Sequence, residues 1–233
     1  MILALETSGT VGSVALVARG ATLRERSFDT RQEACRLLPA VVSELLEGQP
    51  PAAWDLAGLA VSRGPGSFNG LRVGLAFAKA VAHALDLRVV GVSTPEAWAA
   101  ESLTRLPEAT VAVLQPARRG HAYLTGFAPG PEPRPLGPTV LVSEAQALEQ
   151  LRHWTRHGPV VLTGDWSGLA DLAAGLPGAT EEAQRGPSPR AGTVGRLAEP
   201  RLALTPPESH FTLRPEYVSV SQAERTWGVD LGL

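Results

Sequence analysis

Three sets of residues in this chain have types and spacings suited to chemistry. The first is Glu6, which closes the apolar run Ile2-Leu3-Ala4-Leu5 and is followed at once by the hydroxyls of Thr7 and Ser8. Asp165, after Gly164, closes another short apolar run, and the two carboxylates suit either the flanks of a nucleotide or the capping of turns. The second set is Arg63-Gly64-Pro65-Gly66-Ser67-Phe68-Asn69-Gly70-Leu71-Arg72. A glycine-rich loop between a strand and a helix is a common anion site, because backbone N–H groups and the helix N-terminus favour negative charge. The details resist a standard phosphate motif. Gly70 is followed by Leu71 where a Walker loop has lysine, and a dinucleotide fingerprint begun at Gly64 and Gly66 would need its third glycine at Asn69. Pro65 stands where a hydrolase elbow has its first glycine. A structural turn and a ligand loop both stay open. The third set, His153 and His157, has the spacing of helical metal ligands but lacks the protease glutamate and a third ligand, so a solvated face is expected. Cys35 has no histidine near it in sequence and reads as a helix-packing residue. No nucleophile, base and orienting group come together.

Periodicity indicates the elements that must position these residues. Runs at 2–5, 13–18 and 21–28, joined by short turns, predict an antiparallel meander. Thr30 and Glu33 form a capping box for a helix over 31–46, whose apolar face is Leu37, Leu38, Val41, Val42, Leu45 and Leu46, with a kink expected at Pro39. A strand at 56–61, the glycine loop and a helix over 71–85 follow, then a strand at 88–92 and a helix opening at Ser93-Thr94-Pro95-Glu96. This order, three strands and then alternating helix and strand, is that of a ribonuclease-H-like unit. After Leu106-Pro107-Glu108 come strands at 110–114 and 121–127, an irregular loop over 128–138, a helix capped by Ser143 and Gln146, and a strand at 160–162. Helices are expected at 167–174 and 191–198, and an extended tail at 213–218. No internal sequence repeat is evident. The chain is divided into an N-terminal unit, 1–106, and a smaller, divergent one, 107–233.

The helix over 71–85 has a further property. Gly70, Gly74, Ala78 and Ala82 recur every fourth residue and line one of its sides. A glycine inside a helix costs about 1 kcal/mol relative to alanine, so a close neighbour is expected against this strip, either an internal element or a second chain.

Composition narrows the classes. The chain has 233 residues, 44% hydrophobic and 19% charged, with a net charge of −2. These values fit an ordinary globular protein and give no broad basic field for nucleic acid. No apolar run approaches the roughly 20 residues of a membrane span. The N-terminus lacks a signal-peptide pattern and one cysteine permits no internal disulfide, so a cytoplasmic location is expected.

Four segments carry a family resemblance: Ile2 through Ser8, Arg36-Leu37-Leu38-Pro39, Val61 through Gly74, and Val89-Val90-Gly91-Val92-Ser93-Thr94. Together they resemble the bacterial TsaB (YeaZ) family, most specifically over Arg63 to Arg72. Ala117-Arg118-Arg119 and Pro215-Glu216-Tyr217 add weaker matches. The resemblance implies an α/β protein of two ribonuclease-H-like (actin-like, ASKHA) subdomains, with a mixed sheet built on a three-strand antiparallel meander. It implies a non-catalytic subunit of the complex that makes N6-threonylcarbamoyladenosine beside the anticodon of tRNA. The implied partners are the catalytic subunit TsaD, which carries the metal-binding histidines, and the small ATPase TsaE. Alone, a homodimer is implied; tRNA is reached only through the complex, and no membrane is involved. The first two helices form the implied interface, here Arg36, Leu37, Leu38, Val41, Leu45, Gly70, Leu71, Gly74, Leu75 and Ala78. No intrinsic cofactor or metal is implied, while ATP or ADP at the complex interface stays open. This chain departs from the family at Glu6 (usually Asp), Glu33 (commonly His), Pro116 (often Asp) and Ser219 (Arg), and each change weakens the case for a bound nucleotide. The rival reading is a stand-alone actin-like ATPase or kinase that holds a nucleotide with Glu6, Thr7, Ser8, Gly64, Gly66, Ser67 and Asp165. A peptidase, suggested by the family's older glycoprotease label, lacks a metal or nucleophile set.

Overall fold

The computed structural model describes residues 1–31, 34–117, 120–165, 179–181, 188–204 and 212–218. Strands β1 (Ile2–Glu6), β2 (Val11–Ala18) and β3 (Ala21–Asp29) form the expected meander. Helix α1 (Ala34–Leu45) leads to β4 (Gly58–Gly64), parallel to β1, and α2 (Phe68–Leu85) leads to β5 (Arg88–Ser93), parallel to β4. The sheet order is β3-β2-β1-β4-β5. Every residue of β1 is buried, as befits a central strand covered on both faces, and its sequence is accordingly a continuous apolar run up to Glu6. Edge strand β3 instead carries Arg24, Glu25 and Arg26, charges that oppose pairing with another chain.

Helix α3 (Thr94–Leu103) passes to a second sheet of β6 (Thr110–Pro116), β7 (His121–Ala128), β8 (Arg134–Pro135), β9 (Val140–Ser143), β10 (Val160–Gly164) and β11 (Ala179–Glu181), with α4 (Glu144–Thr155) before β10. Its order is β11-β10-β6-β7-β8, and β9 pairs with the other end of the same flank of β7. With β8 and β9 taken as one position, the second sheet repeats the first strand for strand. Strand order and burial have been kept where residue identity has not.

The layers follow from the cores. Helices α1 and α2 cover one face of the first sheet through Leu38, Val42, Leu45, Leu75 and Ala78. Helix α5 (Ala191–Leu204) covers the other face, with Ala191, Val194, Ala198 and Leu202 against Ile2, Ala4, Ala15, Val17 and Ala60. Helix α3 is buried on most sides because it serves both halves: Ala97 packs with that α5 cluster, while Trp98 and Leu103 pack on Val111, Val113 and Phe127. Helix α4 closes the outer face of the second sheet through Ala147 and Leu151. Residues 191–204, which the sequence groups with the second half, thus complete the core of the first.

Some local expectations change. Helix α1 continues through Pro39 as one element, with the ring on its exposed side, and α5 likewise runs on through Pro200. The Thr30 hydroxyl donates to the Gly9 carbonyl oxygen, tying the start of the α1 segment to the β1–β2 turn. Its capping partner Glu33, Arg118, Arg119, the helix expected at 167–174 and Ser219 lie outside the described residues.

Candidate functional site

Two surfaces meet at α2: the glycine loop before it and the helical face it shares with α1. Strand β4 ends at Gly64, whose φ of +112° favours glycine, and Ser67 caps α2, its Oγ accepting from the Gly70 N–H at 3.3 Å. The loop is packed directly on the β1–β2 turn. The Ser67 N–H donates to the Ser8 carbonyl at 2.6 Å, and a Cβ at Gly66 would overlap that same oxygen. The Pro65 carbonyl accepts from Gln115 Nε2 at 3.1 Å, which joins the loop to the second sheet, and the Arg63 carbonyl accepts from the Glu216 N–H at 2.7 Å. The loop's inward space is therefore filled by the chain itself; a phosphate seated there would have to displace Ser8.

Glu6, Thr7 and Ser8 are buried beside this loop. Glu6 Oε1 accepts from the Ser8 N–H at 2.5 Å, and the Thr7 N–H donates to Ser62 Oγ at 3.3 Å. Burial pushes the Glu6 carboxyl up to about 7, against the opposing pull of hydrogen bonds from Ser8 and Ser62. Near neutral pH this group therefore holds a proton much of the time, and its Oε1 caps its own turn.

Asp165 does not mirror Glu6. Strand β10 occupies the place of β4, so Gly164, with φ +103°, matches Gly64, and Asp165 matches Pro65. The strand equivalent to β1 is β6, which ends at Pro116. The two residues thus stand at the C-terminal ends of non-equivalent strands of their sheets, Glu6 closing β1 and Asp165 following β10. His153, on α4, and His157, in the turn just after it, are both exposed with ring centroids 4.9 Å apart, and the Arg156 guanidinium lies 3.4 Å from His153 Nδ1. Among the described residues no three histidines, cysteines or carboxylates gather as metal ligands. No helix among them is long and apolar enough to cross a membrane.

The second surface also needs correction. Leu38, Leu45, Gly70, Leu71, Gly74, Leu75 and Ala78 are buried inside the chain. The small-residue strip faces Thr7: a Cβ at Gly70 would overlap the Thr7 carbonyl oxygen, and one at Gly74 would overlap Thr7 Oγ1. Its close neighbour is therefore internal. What α1 and α2 do present is exposed Arg36 and a row of half-buried apolar side chains, Leu37 and Val41 on α1 with Val73, Phe77 and Val81 on α2, resting on the first core. Exposed Pro39, Ala40, Ala76 and Ala80 lie on the same two helices. Val73, Phe77, Ala80 and Ala84 recur at helical spacing, a signal present in the sequence but overshadowed by the glycines. Gln115, from the second half, had no sequence signal linking it to the loop.

The doubled strand order places this chain among the ribonuclease-H-like, actin-like proteins. Residues 30–130 match the family model described as TsaD, tRNA N6-adenosine threonylcarbamoyltransferase. The TsaB protein of Bacillus subtilis is 34% identical over 123 residues, 52% of this chain and 52% of its own length. That of Escherichia coli is 34% identical over 127 residues, again 52% of each. A solved Pseudomonas aeruginosa structure, described as similar to the peptidase YEAZ, superposes with a TM-score of 0.74 at 26% identity, covering 94% of this chain and 99% of that one. The chain is similar to the TsaB (YeaZ) proteins. It spans about half the length of the TsaB relatives it matches.

Proposed function

We propose that the chain is a non-catalytic subunit in the biosynthesis of tRNA threonylcarbamoyladenosine, the process named for its TsaB relatives, and that it docks the catalytic paralogue TsaD through α1 and α2. The observation that carries this reading is the apolar row Leu37, Val41, Val73, Phe77 and Val81, half-exposed across two adjacent helices. Two parallel rows of this kind offer the same surface to a helix pair from a related chain, and the paralogue is such a chain. The same face closes a homodimer when the protein is alone, and TsaE joins the assembled pair. The glycine loop acts as the brace that holds α2 in place, and any ATP or ADP belongs to the joint interface and not to this loop.

The test is light scattering on a sizing column, with the chain alone and mixed with TsaD from the same organism. Wild type is expected to exchange a homodimer for a one-to-one heterodimer. Phe77→Glu is expected to weaken that pairing at least tenfold, about 1.4 kcal/mol, because a buried charge is left without a partner. Thermal melts check that the variant itself stays folded. Undiminished pairing by folded Phe77→Glu would exclude this face, and a wild type that stays monomeric beside TsaD would exclude the function.

A further inference from the structure

The flank of α2 turned away from α1 carries a different surface. Arg72 and Lys79 on α2, with Arg214, Pro215 and Tyr217 of the tail, enclose an open groove of about 450 Å³. Seven residues separate Arg72 from Lys79, two turns or roughly 10 Å along the helix axis, so the charges form a track instead of a point. At about 100° per residue both lie roughly 100–160° around α2 from Val73 and Phe77, with Ala76 between the two sets. Lys79 is the chain's one lysine.

Among the described residues no carboxylate lines this groove. Glu216, in the same tail, is directed instead to Arg63, 3.6 Å away. Among the described residues none of Arg72, Lys79 and Arg214 has an ion-pair partner. In a chain of net charge −2, the described residues thus gather three cations in one place without a carboxylate against them. Aromatic rings frame the same end: Phe68, 44% exposed, lies 5.7 Å from Tyr217 between ring centroids, and the Arg72 guanidinium stacks 3.8 Å from the Phe68 centroid.

Cations along a track with exposed Phe68 and half-buried Tyr217 beside them are what a single nucleic-acid strand uses, phosphates meeting the charges and bases the ring faces. An acidic peptide would satisfy the cations and leave the rings without a role. We propose that this groove binds the phosphate backbone of a single-stranded RNA segment. Binding is a property of this chain alone; only the identity of the RNA, an anticodon loop, rests on the function proposed above.

Fluorescence anisotropy with a labelled tRNA anticodon stem-loop tests it, using wild type, Lys79→Ala, Arg214→Ala and the double variant across a salt series. With three phosphate contacts, the slope of log affinity on log salt is expected near −2, and each substitution is expected to reduce its steepness by about 0.7. Absent or salt-insensitive binding by wild type overturns the proposal, as do variants indistinguishable from it. Tighter binding of a polyglutamate peptide, with the same dependence on Lys79 and Arg214, also overturns it and assigns the groove to an acidic protein segment. Co-elution of the variants with TsaD separates the two surfaces. Retained co-elution with weakened RNA binding supports the proposal, whereas loss of co-elution makes the groove part of the docking face and overturns it. If wild type fails to pair with TsaD yet binds RNA in this salt-dependent way, docking falls and the groove stands.

Discussion

At the scale of residues, Glu6 shows how burial can decide what a carboxylate does. Its position at the end of an apolar strand was legible in the sequence; its inward orientation was not, because that depends on Ser8 and Ser62 and on the loop that seals the turn. The carboxyl titrates at about 7 in the folded chain, against an ordinary value of 4.5. Below the ordinary value both folded and unfolded chains are protonated and the group costs nothing. Between the two values only the folded chain keeps its proton, so stability declines as pH rises, and above 7 the loss is complete at about 3 kcal/mol. Burial pushes Glu101 in the same direction, so it adds to the slope. Glu6→Gln keeps the acceptor for the Ser8 N–H and removes the charge. Urea denaturation at several pH values is expected to show the variant gaining on wild type above neutrality and matching it in acid. Parallel curves would mean that the Glu6 carboxyl ionises as freely in the folded chain as in water.

At the scale of elements, α2 was read from its spacing to its last residue and three residues short at its start, while the neighbour of its small-residue strip stayed open between an internal element and a second chain. A strip of glycines announces a close approach; it carries no information about which backbone approaches. Here it is the Thr7 segment, and two consequences follow. An alanine inside a helix ordinarily stabilises by about 1 kcal/mol over glycine. Gly70→Ala is expected to reverse that sign, with a loss of about 1–3 kcal/mol, because its methyl meets the Thr7 carbonyl oxygen, which is backbone and cannot turn aside. Gly74→Ala meets chiefly the Thr7 hydroxyl, so adding Thr7→Ala should recover much of its loss, whereas the same rescue should fail for Gly70→Ala. Thermal melts of the four variants separate these outcomes. Equal rescue at both sites would refute the assignment of backbone and side-chain contacts.

At the scale of the molecule, the meander and the alternation after it were plain in the pattern of apolar runs, so the first sheet was legible. The second sheet was harder, because its third position is divided between two short strands, β8 and β9, separated by a Pro/Gly-rich loop. The duplication stayed hidden since a fold constrains strand order and burial far more than residue identity. Least visible was α5: its small apolar residues suit a close seat on a sheet, and Gly195 lies against Val17 and Ala4, but nothing local says which sheet. A chain ending at residue 181 is therefore expected to bind a hydrophobic dye strongly and to self-associate, although every strand of its first sheet is present. If that shorter chain stays monomeric and dye-negative, α5 is dispensable to the first core. During synthesis the same arrangement sets a delay: the first hundred residues leave the ribosome with one face of their sheet bare, and its cover emerges only after nearly another hundred have been made. The nascent chain thus carries an adhesive surface through the middle of its own translation, and whatever shields that surface meanwhile, chaperone or ribosome, has a part in the yield of folded protein.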